Sequence, residues 1–516
     1  MTKRGWKRQW ALGVALLLLF SFSSCAGREH HSTDGSNLEG SSHSSDRERL
    51  DTAFSDGDSL DAETVDRASL VDLSKLQPDG ALVFTFSDAS VSATVSSESY
   101  EITGTALKIK ESGTYFLTGT CADGSVTVAK QTSDVFLVLD GLHLSSSTGP
   151  ALVCNRSSSV CIYLQPNSKN TLSDVAAEHE EGAALKFKSG AALTLAGDGN
   201  LTVTGQWKNG INGAAGSTLQ IRSGNLTVTA KNNAIACDDQ LYIDGGTLYL
   251  TAGNDGIKAS PKEEDPLSAG NIDFRGGTIT VTAVGDGISA DGAFTCSGGI
   301  IDVTTTGEIS VFSGNSFGGF GGFGGWGSSQ SSDGDDASSK GIKAGSGLTI
   351  SGGTITVSST DHALHCSAKT IIQGGTLLLN SSKAKGIATH GDLVVEGNET
   401  SVTIENATEG IESKASFTMN GGTVRIENAT DDGINMGGTV SSSNAEDHTF
   451  TMNGGTLYVF AQGDGLDSNG TFCLNDGMVI VFGPSNGGNS CLDVQFLSSY
   501  QGGTLLGAAS SSSMWN

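Results

Sequence analysis

The stretch Asn254-Asp255-Gly256-Ile257-Lys258-Ala259 has no catalytic motif, yet near-copies of its centre return along the 516-residue chain. The copies share Gly followed by Ile or Leu, with Asp, Glu or Lys before the Gly: Asp286-Gly287-Ile288, Lys340-Gly341-Ile342, Lys385-Gly386-Ile387, Glu409-Gly410-Ile411, Asp432-Gly433-Ile434 and Asp464-Gly465-Leu466. A second motif, Gly-Gly-Thr, recurs at a similar spacing, as in Gly276-Gly277-Thr278. Two motifs that recur at a fixed distance from each other indicate one repeated structural unit.

The period of this unit predicts a solenoid of β-strands. Ile235 to Ile257 is 22 residues and Ile387 to Ile411 is 24 residues. Each unit holds three short runs in which apolar residues alternate, and no run shows the three-to-four spacing of a helix. The sequence therefore predicts an all-β parallel β-helix over residues 81–508, with about a dozen coils of 22–24 residues.

Alternation along a strand also predicts which side chains point outward. In Gly-Ile-x-Ala, Ile and Ala face the interior and x faces outward. Stacked coils then align the x positions in one column: Asn212, Ala236, Lys258, Ser289, Lys343, His365, Ala388, Glu412, Asn435 and Asp467. Cys237 and Cys366 occupy the Ala position, which favours buried thiols, although a disulfide between Cys154 and Cys161 stays open.

The composition narrows the classes of partner. The chain has 72 Gly residues, 6% aromatic residues and a formal net charge of −27. This charge disfavours nucleic acid and anionic membrane surfaces as direct partners and favours bound divalent cations.

The N-terminus predicts export. Lys3, Arg4, Lys7 and Arg8 precede a short apolar run that ends in small residues and Cys25. Residues 1–25 resemble a bacterial lipoprotein signal with Cys25 as the lipidated residue, although conventional cleavage is the alternative. Residues 26–80 are rich in Ser, Asp, His and Glu and predict a disordered tether, and residues 509–516 form a tail. We expect the protein at the cell surface, anchored to the membrane by this lipid.

Acidic residues at the repeated corner are the candidate metal ligands. Stacked carboxylates repel each other, and Ca²⁺, which takes oxygen ligands, relieves that repulsion. The set comprises one group near the middle of the chain and a richer C-terminal group that also contains Asp431: Asp255, Asp286 and Asp291, then Glu409, Glu412, Asp432, Asp464 and Asp467. The alternative is that these residues only serve the turn by bonding backbone groups.

Other side chains offer weaker chemistry. Lys258 and Lys343 point outward near acids, so they are candidate carbohydrate contacts or, in a pectate-type lyase, a catalytic base beside calcium. His362, His365 and His390 lie within two coils, where a transition-metal site competes with a reading as ordinary imidazoles. A Gly/Phe-rich insertion, residues 313–339, contains Trp326, which could stack on a sugar ring or contact another protein.

Several segments resemble one known family. Glu111-Ser112-Gly113-Thr114-Tyr115, Leu137-Val138-Leu139-Asp140-Gly141 and the Gly-Ile repeats are similar to a bacterial family of carbohydrate-binding β-helix domains. The resemblance covers about residues 81–508. It implies a secreted, right-handed parallel β-helix like that of pectate lyases, which binds calcium and plant cell-wall polysaccharides such as cellulose and polygalacturonate without established lytic activity. The acidic corner residues would then be its calcium ligands. We expect a monomeric polysaccharide-binding protein, with a lyase or a surface adhesin as alternatives.

Overall fold

The computed structural model describes residues 75–76, 82–261, 269–308, 338–437, 448–484, 489–496 and 498–510. These residues form β-strands and turns, with no α-helix among them. No helix in this part of the chain is long and apolar enough to cross a membrane. The predicted signal with Cys25, almost all of the tether and most of the insertion, including Trp326, lie outside the described residues.

The strands stack in three parallel faces, because each strand pairs with the strand one coil later. The first face, here called face one, is a 16-stranded sheet of short strands. Its strands are β3 (Tyr100–Thr103), β4 (Ala106–Ile109), β6 (Ser125–Val128), β8 (Leu152–Cys154), β11 (Ala183–Phe187), β14 (Asn209–Gly213), β17 (Ile235–Cys237), β20 (Ile257–Ala259), β23 (Ile288–Ala290), β26 (Ile342–Ala344), β28 (Leu364–Cys366), β30 (Ile387–Thr389), β33 (Ile411–Ser413), β36 (Ile434–Met436), β39 (Leu466–Ser468) and β42 (Leu492–Val494). β3 pairs with β4 in antiparallel fashion and opens the sheet.

Face two follows face one along each coil, and face three completes the coil. Face two contains β9 (Ser159–Leu164), β12 (Ala192–Gly197), β15 (Thr218–Ile221), β18 (Gln240–Ile243), β21 (Asn271–Phe274), β24 (Ala293–Cys296), β31 (Leu393–Val395), β34 (Phe417–Met419), β37 (Thr449–Met452), β40 (Thr471–Leu474) and β43 (Ser498–Tyr500). Face three contains β10 (Lys169–Ser173), β13 (Asn200–Gly205), β16 (Asn225–Ala230), β19 (Thr247–Ala252), β22 (Thr278–Ala283), β25 (Ile300–Thr305), β32 (Ser401–Asn406), β35 (Thr423–Ala429), β38 (Thr456–Ala461), β41 (Met478–Phe482) and β44 (Thr504–Ala508).

A few long strands join faces two and three into one 28-stranded sheet. They run through the corner without a break: β5 (Gly113–Cys121), β7 (Val135–Ser145), β27 (Gly347–Ser359) and β29 (Thr370–Ser381). At the N-terminal end, β1 (Leu82–Phe86) pairs in parallel with β5 and in antiparallel fashion with β2 (Val91–Ala93). The all-β class and the solenoid-like parallel arrangement are thus confirmed, while the right-handed sense of the coil stays a prediction.

The core is a set of inward ladders, as the alternation predicts. On face one, Ile257 pairs with Ile288 and Ile288 with Ile342, and all three are buried. Phe450 on face two stacks between Phe417 and Phe472, with ring centroids 4.8 and 5.4 Å apart. Burying each such side chain contributes about 1.5–3 kcal/mol. The solenoid therefore derives its stability from contacts between neighbouring coils.

Cysteines fill inward positions of the same ladders. Cys237 pairs with Ala259 and Cys366 with Ala344 in the register of face one. Every cysteine in the described part of the chain is free, so no disulfide joins Cys154 to Cys161. The prediction of small apolar thiols is confirmed for Cys237 and Cys366.

Glycines permit two close approaches in each coil. The second Gly of Gly-Gly-Thr has a positive φ, as at Gly277 (φ 88°), which other residues rarely adopt. The Gly before the inward Ile instead touches the next coil. A Cβ at Gly287 would lie 2.6 Å from the carbonyl oxygen of Gly341 and closer still to Cγ1 of Val303.

Gly287→Ala is therefore expected to lower the free energy of unfolding by about 1–3 kcal/mol, because backbone and a packed valine must move. Gly347→Ala is the matched control, since the nearest heavy atom to its Cβ is the Lys369 carbonyl oxygen at 3.9 Å. Thermal unfolding followed by circular dichroism measures both. Equal melting temperatures for the two variants would show that coil spacing does not depend on this contact.

Candidate functional site

The outward column of face one has the register that the repeat predicts. Lys258 pairs with Ser289, Ser289 with Lys343 and Lys343 with His365. The column continues through Ala388, Glu412, Asn435 and Asp467 to Asp493. Four of its members are buried although they point away from the core, namely the small residues Ala236, Ser289 and Ala388 and the larger His365. The column is thus shielded by its longer neighbours.

A second column runs along the corner that precedes each face-one strand. The backbone N–H of each Gly or Ala at this corner donates to the carbonyl of the corner residue one coil later. These corner residues are Asn233, Asp255, Asp286, Lys340, His362, Lys385, Glu409, Asp432, Asp464 and Ser490. The acids therefore do not form one continuous stack, because Lys340, His362 and Lys385 separate the two acidic groups.

Each corner Asp uses one carboxylate oxygen for the backbone of the next coil. Asp255 Oδ1 accepts from Asp286 N (2.9 Å), and Asp286 Oδ1 accepts from Lys340 N (2.8 Å). Asp432 Oδ1 likewise accepts from Asp464 N (2.8 Å), and Asp464 Oδ1 accepts from Ser490 N. The turn-serving role therefore accounts for one oxygen of each Asp, and the other oxygen is not used by the backbone of the next coil.

Lysines from the outward column face the second oxygen in the middle of the chain. Lys258 Nζ lies 3.4 Å from Asp255 Oδ2, and Lys343 Nζ lies 3.8 Å from Asp286 Oδ2. Burial and the neighbouring Asp286 raise the pKa of Asp255, and Lys258 opposes this rise. Both carboxylates thus already have a cationic partner.

Asp291 does not join Asp255 and Asp286. It follows β23, so it lies at the opposite end of that strand from Asp286. Its carboxylate is exposed and accepts a hydrogen bond from Ser260 Oγ. The structure therefore keeps Asp255 and Asp286 adjacent but separates Asp291 from them, although the sequence grouped all three as one metal cluster.

Three histidines occupy the coils between the acidic groups. The rings of His362 and His365 stack at 5.4 Å, and His390 meets His365 edge-on at 5.2 Å. Burial lowers the pKa of His362 to about 4 and, together with nearby cations, that of His365 to about 2. Lys340 pairs with Asp361 here at 3.0 Å. The imidazoles of His362 and His365 are therefore neutral near pH 7.

Lys385 marks the boundary of the C-terminal acids. Its ammonium lies 3.2 Å from Glu409 Oε2 and 2.7 Å from Glu412 Oε1. Burial, with Glu412 as a further cause, still raises the pKa of Glu409 despite this contact. One cation thus serves two carboxylates.

Beyond Lys385 lies the acidic end of face one, defined as Asp431, Asp432, Asp464, Asp467 and Asp493. Among the described residues, no Lys or Arg forms an ion pair with any of the five. Burial raises the pKa of Asp432 and that of Asp467 to about 7, and neighbouring carboxylates add to both shifts. The pKa of Asp464 is raised by the same causes. This end therefore carries negative charge that the described side chains do not compensate.

These donors suit calcium in chemistry but do not form a closed site by themselves. Ca²⁺ prefers oxygen ligands, including carboxylate oxygens, and takes six to eight of them in total. Within the described residues, no group of three or more His, Cys, Asp or Glu side chains is arranged to hold a metal ion. Water and a ligand would have to supply the remaining oxygens.

Asp493 is a member of the column that the repeat did not reveal. It follows Cys491-Leu492, where Cys replaces the usual Gly, so the word Gly-Ile is missing. The alternation Leu492-Asp493-Val494 is the signal that remains. Lys385 was recognised only as a corner residue, and its contacts to Glu409 and Glu412 depend on side-chain reach.

The raised pKa values predict a stability effect of opposite sign to that of most carboxylates. Asp432 and Asp467 bind protons more tightly in the folded state, so stability falls as pH rises from about 4 to about 7. The Asp432→Asn/Asp467→Asn variant should melt about 1–3 °C above the wild type at pH 8 in chelator and show no gain at pH 4. Asp302→Asn, an exposed carboxylate on face three, is the control. A gain of equal size at both pH values would contradict the assignment.

Comparisons with known proteins place the chain in a family. The family described as "Carbohydrate-binding domain-containing protein" matches residues 103–384 and 371–502, which together span most of the chain. Comparison with curated protein sequences gives no match. The solved structure of a polysaccharide lyase-like protein from C. thermocellum, a gadolinium derivative, is similar at 26% identity and a TM-score of 0.39, over 44% of this chain and 91% of that one. On the family match, the chain belongs to the carbohydrate-binding domain-containing proteins.

Proposed function

We propose that the protein is a non-catalytic, calcium-dependent polysaccharide-binding protein of the cell surface. Its ligand would be a plant cell-wall polymer, either an acidic chain such as polygalacturonate or a neutral chain such as cellulose. The observation that carries the calcium dependence is the acidic end of face one, where Asp432, Asp464, Asp467 and Asp493 have no cationic partner among the described residues.

A bound divalent cation would link carboxylates of the protein to carboxylates of the polymer. Asp467 and Asp493 are adjacent in the outward column and would present their oxygens to it. Asp432 and Asp464 would each contribute the oxygen that the next coil does not use. A protein with a formal net charge of −27 repels a negatively charged uronate chain. A cation bound between the two sets of carboxylates would supply the attraction that overcomes this repulsion.

The repeated coil also suits a polymeric ligand. Neighbouring strands are spaced about 4.8 Å apart, so equivalent side chains recur at a short, regular interval. A stiff polysaccharide presents its own groups at a regular interval, and a rigid scaffold loses little conformational entropy when it binds. The lipid on Cys25 and the 26–80 tether would hold this scaffold away from the membrane.

Removing two carboxylates from the acidic end should weaken calcium-dependent binding. Asp467→Asn/Asp493→Asn is expected to lower the apparent affinity for polygalacturonate about tenfold, because fewer oxygens remain for the cation. The affinity is obtained from the retardation of the protein in gels that contain polygalacturonate. Asp302→Asn removes a charge from face three and should bind like the wild type. The gels are run with calcium and with chelator.

Retardation by polygalacturonate that is unchanged in chelator would remove the bridging mechanism. Absence of retardation by any polysaccharide, acidic or neutral, would remove the binding function itself. The third reading, an adhesin, predicts the latter result together with retention of another protein.

A separate measurement distinguishes the non-catalytic function from the lyase alternative. Lys258 and Lys343, its candidate bases, already contact Asp255 and Asp286. Incubation with polygalacturonate and calcium should therefore produce no unsaturated product that absorbs in the ultraviolet. Production of such a product, and its loss in Lys343→Ala, would establish catalysis.

A further inference from the structure

Face three carries an apolar surface on its last coils, the same coils that carry Asp464, Asp467 and Asp493 at the acidic end of face one. The outward side chains of β38, β41 and β44 lie in register: Tyr458 beside Ile480, Ile480 beside Leu506, and Phe460 beside Phe482. Met478 lies on the same strand as Ile480 and Phe482. We call these six residues (Tyr458, Phe460, Met478, Ile480, Phe482 and Leu506) the aromatic platform. Its extent is about 10 Å across the coils and 13 Å along the strands.

The platform is exposed. Phe460 is 42% exposed, Phe482 40%, Met478 40% and Leu506 54%. Large side chains of this kind normally face the core, and a contiguous exposed group of them marks a binding surface. Exposure of a single apolar residue would need no explanation, but four exposed residues that flank the half-buried Tyr458 and Ile480 do.

Earlier coils place mostly polar side chains at the same positions. The column that contains Tyr458 carries Thr280, Asp302, Thr356 and Thr403 in preceding coils, with Leu378 as an apolar exception and Tyr249 as an isolated aromatic residue. The column that contains Phe460 carries Thr251, Thr282, Thr304, Ser358 and Asn380. Aromatic and aliphatic residues therefore cluster at the end of the face, whereas Tyr249 and Leu378 lie singly among polar neighbours in this column.

A charged pair borders the platform. The Arg425 guanidinium lies 4.1 Å from the ring centroid of Tyr458 and donates through Nε to Glu427 at 2.7 Å. The rings of Tyr458 and Phe482 are 5.6 Å apart and tilted by 47°. Stacking groups with hydrogen-bonding groups at their rim match a sugar ring, which has apolar CH faces and a polar hydroxyl edge.

We propose that the aromatic platform binds a neutral polysaccharide chain, by contact of pyranose CH faces with Tyr458, Phe460 and Phe482. This inference rests on the proposed function in that both assign polysaccharide binding, but it places neutral chains on a different face from the acidic end. The platform itself carries no charge, so neither a cation nor a uronate is required there.

Charge argues against the other occupants. A second copy of the chain would bring together two molecules of formal net charge −27, and the Arg425 charge at the border of the platform is already paired with Glu427. An anionic ligand would meet the same field. A neutral chain avoids both costs, and the chain belongs to a carbohydrate-binding family.

The test is the affinity of the full chain for hydroxyethyl cellulose, measured by gel retardation in chelator. Phe460→Ala/Phe482→Ala should weaken binding at least about tenfold, because two stacking contacts are lost. Tyr249→Ala is the matched control, since Tyr249 is 53% exposed in the same column many coils away. The control should bind within about twofold of the wild type.

Calcium-dependent retardation by polygalacturonate is measured on the same variants. Suppose that Phe460→Ala/Phe482→Ala retains both the calcium-dependent retardation by polygalacturonate and the wild-type affinity for the neutral polymer. The platform assignment is then wrong, and the proposed function stands. If the wild type binds neither polymer, the proposed function fails as well. A dimer in sedimentation analysis that Phe460→Ala/Phe482→Ala dissociates would show a self-association surface and overturn the proposal.

Discussion

Backbone contact between successive coils is the constraint on which the rest of the structure depends. The N–H of Gly287 donates to the carbonyl of Lys340, and the same bond recurs at Gly256 and Gly433. The close packing at these glycines fixes the register, so each side chain lies against its counterpart in the next coil. For apolar side chains this alignment is favourable. For charged side chains the alignment places like charges beside each other, and other groups must offset their repulsion.

Face one compensates in different ways along its length. Corner aspartates give one oxygen to the backbone of the next coil, Lys258 and Lys343 face the other oxygen, and neutral imidazoles occupy the coils between. This compensation ends after Lys385, where burial and, after it, the neighbouring carboxylates raise the pKa values of Asp432 and Asp467 to about 7. Because the charge distribution is so uneven along one repeated face, we propose that its C-terminal end has a role other than stability.

Sequence reasoning predicted the solenoid and its register because both follow from alternation and a fixed period. The columns through Ile257 and Lys258 were identified residue by residue, and the pairing confirms them. Burial of Ser289 and Ala388 could not be predicted, since it depends on how far neighbouring lysines and glutamates reach over them. Asp291 was grouped with Asp286 by proximity in sequence, but a strand of three residues separates them in space.

The free cysteines have a consequence for the redox chemistry of the scaffold. Cys154, Cys237 and Cys366 are buried in the interior ladders without disulfides, and burial raises the pKa of the Cys237 thiol to about 12. Thiols that stay protonated and inaccessible are poor nucleophiles and poor targets for oxidants. The described part of the scaffold therefore forms without a disulfide, and these three buried thiols are protected from oxidants.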